Sequence, residues 1–419
     1  MKSKTMDFFE ACEKYSKFPR LIILKIELQR RGFILSQSAL DNVNILIHQT
    51  KERSFSREIQ GHYPVSFMLR DGTSVVTRPI LKTKIGVDPF LIDFNQERFV
   101  ISFHGIEIDE VFLWERPDYY EKSTSKGTPM WHIANSRPQR LDINPFQYCE
   151  FWNRGMGCKF CEVSATYRAT KKPMILDIKD IEETVKEALK EKGRYTAIFL
   201  TGGSIIKGAK YFDDEVELYI KVLQVIGQNF KSRRFPSQLI GTAYTKEQLM
   251  RIYSETGLMS YTADLEVLDK NLFNWICPGK SHFIGYDEWK QRLFDAVDIF
   301  GKGYVNTGIV CGVELAEPKG FKSEECAIEN NLKEAEELLK NGVSVVSCVW
   351  RIGENSIFAK QKLPSLDYYI NMAIGLHKLR EKYGMYTGMD DYRRCGNHPD
   401  TDLDRVWEGG YGTVTEVKR

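Results

Sequence analysis

The stretch Asn144–Val163, NPFQYCEFWNRGMGCKFCEV, contains three of the nine cysteines of this 419-residue chain. Cys158 and Cys161 form a Cys-x-x-Cys pair, and Cys149 lies nine positions before Cys158. Cysteine thiolates are the usual ligands of iron–sulfur clusters, and a complete cubane normally takes four of them. A structural zinc site also takes four ligands, usually as two closely spaced pairs. Three cysteines in one short loop, with no fourth nearby, therefore favour a cubane that keeps one iron open for a small ligand.

The loop resembles the hallmark of the radical S-adenosylmethionine (SAM) superfamily, in which three cysteines end in Cys-x-aromatic-Cys, here Cys158-Lys159-Phe160-Cys161. Eight residues separate the first two cysteines, more than is usual in that superfamily, so the resemblance is to an atypical subgroup. It implies that Cys149, Cys158 and Cys161 hold a [4Fe–4S] cluster whose open iron binds SAM. The aromatic ring of Phe160 is then placed to pack against a flat cofactor ring. A zinc loop in a non-catalytic, zinc-stabilised binding protein is the alternative.

The resemblance also implies the chemistry of these cofactors. One electron cleaves SAM to a 5′-deoxyadenosyl radical, which abstracts hydrogen from a substrate, and an external donor of the flavodoxin or ferredoxin type supplies the electron. Cofactors carry such chemistry, while the protein supplies binding, orientation and exclusion of water.

The composition excludes several other classes of protein. The chain is 42% hydrophobic and 28% charged, and its net charge of +2 points to neither a nucleic acid nor a membrane surface. It contains no apolar run of about 18 residues that would span a bilayer, and its first residues lack the apolar core of a secretory signal. Six of the nine cysteines are scattered, which suits the reducing cytoplasm better than a disulfide framework. We therefore expect a cytoplasmic protein.

After the cysteine loop, short apolar strands alternate with amphipathic helices, a pattern typical of βαβ units. Thr245 and Gln248 have the form of a capping box that opens one of these helices. About six such units predict a partial (β/α)6 TIM-like barrel over residues 140–366, the fold that the resemblance also implies. The predicted strands are 140–144, 196–201, 238–243, one ending near 266, 304–313 and 343–350, and the helices include 178–192, 213–229, 286–300 and 332–341.

The two flanking parts of the chain differ from this pattern. Residues 1–139 read as helices followed by hairpins, one with an Asp71-Gly72 turn signal, and predict an α+β accessory domain. Residues 367–419 read as a helix followed by a polar tail. Cys395 and His398 in this tail are too few to make a metal site by themselves. They could instead cap the barrel mouth or contact substrate, and the alternative is an ordinary polar tail.

Two motifs lie where the second and fourth predicted strands end, the position at which barrels of this kind gather their working residues. Gly202-Gly203-Ser204 allows close backbone approach, and the resemblance implies that it binds the amino end of SAM, although serine stands where an acid is common. Glu266 is predicted to face inward, which is costly for a carboxylate without a partner. The resemblance implies that it binds the ribose or methionine part of SAM. A plain turn and a surface salt bridge are the respective alternatives.

Five further residues are weaker candidates. The resemblance implies that Ile309 and Val310 lie against the adenine and ribose, and that Glu314 lies on the substrate side. Lys280 follows a Pro-Gly turn and could meet a carboxylate of SAM or substrate, or remain solvated. Arg351 follows the last strand and suits bidentate binding of a substrate carboxylate or phosphate, with a structural ion pair as the alternative.

These features favour a radical SAM enzyme that abstracts hydrogen from a small-molecule substrate in cofactor or metabolite biosynthesis. The lack of a basic stripe weakens an RNA substrate. The alternative within the same chemistry is a peptide, protein or RNA target recognised by residues 1–139.

Overall fold

The computed structural model describes residues 6–52, 62–80, 88–137, 140–170, 172–385 and 396–406. Within these ranges the chain has the predicted mixed α/β structure, with two large sheets and a two-stranded ribbon. Among the helices described in these ranges, none combines the length and the apolar character that crossing a bilayer requires.

The N-terminal part contains a six-stranded sheet flanked by helices. Its elements, in chain order, are α1 (Phe8–Lys14), α2 (Arg20–Arg31), β1 (Phe33–Leu35), α3 (Gln37–Asn42), β2 (Lys51–Glu52), β3 (His62–Tyr63), β4 (Ser66–Leu69), β5 (Ser74–Val76), β6 (Phe90–Asn95), β7 (Arg98–Phe103) and β8 (Ile106–Leu113). The sheet order is β1-β6-β7-β8-β4-β5, and β2 pairs with β3. The predicted Asp71-Gly72 turn joins the antiparallel strands β4 and β5.

The remaining elements form the second sheet and its helices. They are α4 (Met130–Ile133), β9 (Ala134–Arg137), β10 (Arg140–Ile143), α5 (Val163–Thr170), α6 (Ile178–Ala188), β11 (Ala197–Leu200), α7 (Asp213–Gly227), β12 (Phe235–Ile240), α8 (Lys246–Glu255), β13 (Leu258–Thr262), α9 (Lys270–Ile276), α10 (Pro278–Phe283), α11 (Tyr286–Phe300), β14 (Val305–Cys311), α12 (Glu324–Lys340), β15 (Val343–Val349), α13 (Leu366–Tyr383) and α14 (Pro399–Val406).

The second sheet has seven strands in the order β15-β14-β13-β12-β11-β10-β9. Strands β10 to β15 run parallel to their neighbours, and β9 pairs antiparallel with β10. Residues from all seven strands line one cavity of about 330 Å³. The sheet must therefore curl around this cavity as part of a barrel, with the carboxyl ends of the parallel strands at one rim.

Local sequence signals explain the helices around this sheet. In α6, Ile181, Val185 and Ala188 recur at helical spacing and are buried. The capping box that opens α8 is present: the Thr245 hydroxyl accepts from the Gln248 amide at 3.3 Å, and the Gln248 side chain accepts from the Thr245 amide at 3.0 Å. Helix α12 begins earlier than predicted because Ser323 caps it, accepting from the Cys326 amide at 3.2 Å.

The N-terminal part and the barrel share one hydrophobic core. Buried residues such as Phe33 and Phe67 belong to the same continuous cluster as Leu141 and Val345 in the barrel. Helix α2 also packs against α13, α14 and β15. The division of the chain at residues 139 and 366 therefore stays a prediction from sequence.

The segment after α13 differs from the expected polar tail, since α14 is a buried helix. Arg380 is fully buried and donates to the Asp400 carboxylate from Nη1 at 2.8 Å and to the Asp404 carboxylate from Nε at 2.8 Å. The Lys25 ammonium pairs with Asp402 at 2.5 Å. Burying charges is costly unless they are paired and hydrogen-bonded. This acid-rich segment can be buried because Arg380 and Lys25 pair with its carboxylates.

We predict that Arg380→Met will lower the free energy of unfolding by about 3–5 kcal/mol, because it leaves two buried carboxylates without their cation. Chemical denaturation followed by circular dichroism measures the loss. Lys382→Met, on the same helix but in an exposed pair with Glu336, should leave the midpoint nearly unchanged. Equal midpoints for the two variants would contradict this account of α14.

Candidate functional site

The cysteine loop leaves the carboxyl end of β10 and returns to the barrel through α5. Cys149 caps a short 3₁₀ helix, Glu150–Arg154. The Cys161 amide donates to the Cys158 carbonyl at 3.0 Å, and the Val163 amide donates to the Cys161 sulfur at 3.4 Å. None of the three cysteines is in a disulfide, and all three are half-buried.

The three thiols lie near one another and are poorly solvated. Burial raises the pKa of Cys149 and of Cys161 to about 12, and the neighbouring Cys158 raises both further. A hydrogen bond to Cys277, followed by burial, raises the pKa of Cys158 well above its usual value. Since the thiolate is the metal-binding form, a positively charged metal centre is needed to hold all three ionised. This donor set fits an iron–sulfur cluster.

Within the described residues, no three or more His, Cys, Asp or Glu side chains converge on a point that could hold a single metal ion. The cysteines of a cubane bind different irons and do not need to converge in this way.

Backbone hydrogen bonds fix the cysteine loop to two distant segments. The Lys159 amide donates to the Ile276 carbonyl at 2.9 Å, and the Gly279 amide donates to the Met156 carbonyl at 3.0 Å, which ties the loop to α9 and α10. The Phe358 amide donates to the Lys159 carbonyl at 3.1 Å. The loop is therefore held on both sides of Cys158 by elements beyond the fourth parallel strand.

A fourth cysteine lies beside the loop, contrary to the expectation from sequence. Cys277 precedes α10, is buried, and hydrogen-bonds with the thiol of Cys158. Sequence reasoning missed it because α9 and the fourth strand bring it back only in three dimensions. The cysteine ligands of one cubane are kept apart by the cluster, whereas Cys277 hydrogen-bonds directly with Cys158. We therefore assign Cys277 as a neighbour of a candidate ligand and not as a ligand itself.

The Gly202-Gly203-Ser204 turn after β11 lies under the cysteine loop. A Cβ atom at Gly203 would be 2.1 Å from the Tyr148 carbonyl oxygen and 2.3 Å from the Cys149 Cβ, and one at Gly202 would be 2.9 Å from the Phe146 carbonyl oxygen. The Glu150 amide donates to the Ser204 carbonyl at 2.9 Å. Both glycines are thus required by packing against the loop. Their predicted contact with SAM stays a prediction.

Two carboxylates that sequence reasoning missed support this turn. Glu215 on α7 is buried and accepts from the Ile205 amide at 2.7 Å, the Thr242 amide at 3.2 Å and the Tyr244 hydroxyl. Burial raises the pKa of Glu215 to about 7, against these hydrogen bonds. Glu150 accepts from the Ile206 amide at 2.8 Å. Together they join the ends of β11 and β12 to the cysteine loop.

Glu266 and Lys280 form an ion pair next to the thiols. The two side chains are 2.8 Å apart, and Lys280 also donates to the Asp264 carbonyl and lies 4.8 Å from the centre of the Trp289 ring. Glu266 has a φ of +67°, a sparsely populated conformation that clusters at functional sites. Glu266 and Lys280 both lie close enough to Cys158 to influence its pKa. Lys280, predicted to meet a carboxylate of SAM or substrate, meets that of Glu266.

The other weak candidates separate in space. Ile309 lines the cavity and bridges to Glu266, whereas Val310 is buried in the core and does not line the cavity. Phe160 is half-buried and packs against the core. Glu314 is buried away from the cavity and accepts from Asn331 and from the Gly312 amide, each at 2.9 Å. The structure therefore does not bring Glu314 to the cavity.

The cavity inside the barrel is the space that these elements enclose. Glu266 lines it beside Cys158, and Arg351 lines it just after β15. His398 lines it from the segment before α14, with its Nδ1 2.9 Å from the Ser347 carbonyl oxygen. Cys395, its predicted companion, lies outside the described residues. Much of the wall is hydrophilic, including Asn135, Arg137, Arg140, Asp142, Asn144, Thr201, Gln238, Thr262, Asp264 and Asn306.

Comparison with known proteins adds one curated relative. No family model matches the chain. It is 26% identical over 310 residues to the bacteriochlorophyllide c C-7(1)-hydroxylase of Chlorobaculum limnaeum, across 70% of this chain and 72% of that protein. The relative is an enzyme, which supports an enzymatic role at a coarse level.

Two solved structures are also similar. One is a radical SAM methyltransferase from Sphaerobacter thermophilus, with a TM-score of 0.41 and 12% identity over 94% of this chain and 98% of that chain. The other is a cobalamin-dependent S-adenosylmethionine radical enzyme, with a TM-score of 0.33 and 10% identity over 76% of this chain and 50% of that chain. Both scores are too low to establish a common fold.

We predict that Gly203→Ala will lower the iron content severalfold after anaerobic reconstitution, because the new methyl group must displace Cys149. Iron and sulfide assays measure the loss, and circular dichroism checks the fold. Gly227→Ala, where a Cβ meets nothing nearer than 3.4 Å, should keep the iron content of the native protein. Normal iron content in Gly203→Ala would show that the loop does not depend on this contact.

We predict a pH-dependent contribution of Glu215 to stability. Its folded pKa of about 7 exceeds the ordinary 4.5, so its stabilising effect is full below pH 4.5 and is lost as pH rises through 7. Relative to Glu215→Gln, which cannot titrate, the native protein should lose about 3 kcal/mol over this range. Denaturation at several pH values measures the difference. Glu217→Gln, on the exposed face of α7, should give a flat difference, and a flat difference for Glu215→Gln would contradict the prediction.

Proposed function

We propose that this chain is a radical SAM enzyme that abstracts hydrogen from a small-molecule substrate. The observation that carries the proposal is that Cys149, Cys158 and Cys161, none of them in a disulfide, lie on one loop at the carboxyl end of the first parallel strand and are near enough to raise one another's pKa. The Cys-x-aromatic-Cys ending of this loop and the hydroxylase relative support it. Hydroxylation of carbon begins with the cleavage of a C–H bond, which is the reaction that the proposal assigns to this chain.

Under this proposal the three cysteines hold a [4Fe–4S] cluster, and the turn at Gly202 to Ser204 keeps Cys149 in place. When bound, the cluster and SAM supply the 5′-deoxyadenosyl radical that takes a hydrogen atom from the substrate. Each electron comes from an external donor of the flavodoxin or ferredoxin type.

The residues of the rim bind and orient what enters the barrel. Glu266, fixed by Lys280, presents carboxylate oxygens to hydroxyl or ammonium groups at the top of the cavity. Ile309 offers an apolar contact beside it. Arg351 faces the same space and suits an oxyanion. The barrel wall and the segment that contains His398 keep bulk water from the reacting atoms.

The proposal is tested by anaerobic reconstitution with iron and sulfide. The native protein should turn brown, absorb near about 400 nm, and release 5′-deoxyadenosine from SAM when dithionite is added. Replacing Cys149, Cys158 and Cys161 with alanine should abolish the absorbance and the product. Cys277→Ser is the matched control. It should keep the absorbance and the product, because Cys277 lies beside the ligand Cys158 and is not itself a ligand.

Two outcomes would refute the assignment. A colourless protein that holds zinc would favour the metal-stabilised binding protein. A cluster that is lost in Cys277→Ser would mean that four cysteines close the cubane, which leaves no open iron for SAM.

A further inference from the structure

The lower half of the barrel cavity is hydrophilic, although the interior of a barrel is commonly filled by branched apolar side chains. Arg140 begins β10, Gln238 lies on β12 and Asn306 is the second residue of β14, and all three line the cavity. Arg140 lies three residues before the end of β10, which is about 10 Å below the rim at the usual rise of a strand. This polar region is therefore separate from the cysteine loop.

Arg140 is a buried cation that forms no ion pair among the described residues, although Asp142 and Asp264 line the same cavity. Its side chain is 6% exposed, Nη1 donates to the Gln238 side-chain oxygen at 2.9 Å, and the guanidinium stacks 4.0 Å from the centre of the Phe199 ring. Its Nε has no hydrogen-bond partner within the described part of the chain. The carboxylate of Asp142 on the same strand pairs with Arg137 at 2.9 Å. A buried charge without an ion-pair partner is costly, so this guanidinium suits an anionic ligand.

Asn306 has a buried side-chain oxygen without a hydrogen-bond donor among the described residues. Its side chain is 1% exposed, and its Nδ2 donates to the Ser260 hydroxyl at 3.2 Å. The Oδ1 atom of the same amide is buried and accepts no hydrogen bond from the described residues. Buried polar atoms in folded proteins are nearly always satisfied, and exceptions point to a role. The cavity thus offers an N–H donor at Arg140 and an acceptor at Asn306.

We infer that this lower region binds a small hydrophilic substrate through its oxyanion, a carboxylate or phosphate held by Arg140, while an N–H or O–H group of the same molecule donates to Asn306. The inference rests on the proposed function, whose substrate class it narrows. A cavity of about 330 Å³ with this polar wall suits a compact metabolite.

Binding of simple anions to the protein without cluster or SAM tests the inference. Malonate, succinate and inorganic phosphate are titrated by calorimetry, with malonamide as the uncharged control. At least one anion should bind the native protein, and Arg140→Met should weaken that binding by about 10- to 100-fold, the loss expected for a charged hydrogen bond. Arg98→Met, which removes the same charge from an ion pair in the N-terminal sheet, should leave it unchanged.

Gln238→Glu separates a binding role from a structural one. The new carboxylate would pair with Arg140 from within the chain, so the variant should melt at a higher temperature and lose anion binding. If Arg140→Met fails to fold, Gln238→Glu still tests whether Arg140 binds the anion. Failure of all three anions to bind the native protein, or binding that survives in Gln238→Glu, would overturn the inference.

Because these titrations use neither cluster nor SAM, their failure leaves the proposed radical chemistry standing. Conversely, failure to assemble a cluster does not change their result.

Discussion

The cysteine loop rests directly on the turn that follows the second parallel strand, and this contact leaves no room for a side chain at Gly203. The position of Cys149 is therefore set by a backbone surface and not by the loop itself. Glu215 supports that surface from α7 by accepting from the Ile205 amide, and Glu150, within the loop, accepts from the Ile206 amide. On the other side, the amides of Lys159 and Gly279 tie the loop to α9 and α10. A cysteine loop supported in this way presents its thiols in one arrangement.

Two buried guanidinium groups, those of Arg380 and Arg140, differ in the partners that they have inside the protein. Arg380 pairs with two carboxylates of α14 and holds this helix in the core. Arg140 meets an amide oxygen and an aromatic ring, and the described residues give it no carboxylate. A protein core tolerates the first arrangement by itself, whereas the second leaves a guanidinium that an anionic ligand could pair with. The charge of Arg380 therefore stabilises the fold, whereas the charge of Arg140 is the one that we propose for a ligand.

The cavity between these groups connects the two proposals. Its rim carries Glu266, close enough to Cys158 to influence its pKa, and its lower wall carries Arg140 and Asn306. A substrate anchored by its oxyanion at the bottom would direct its other end toward the rim, where a radical would form. Recognition and reaction would then occupy opposite ends of one space, and the depth of the barrel would select the length of the substrate.

The sequence by itself determined the local features. The spacing of Cys149, Cys158 and Cys161 is covalent, and the helix predicted at 286–300 is the observed α11, because hydrophobic periodicity and capping act over a few residues. The features decided only by tertiary structure are contacts between distant segments. Cys277 lies beside Cys158, Lys280 pairs with Glu266, Glu314 is withdrawn from the cavity, and the acidic segment of α14 is buried against Arg380. Each of these depends on the path of the whole chain, since the partner that satisfies a buried charge or thiol is brought near only when the sheet has curled.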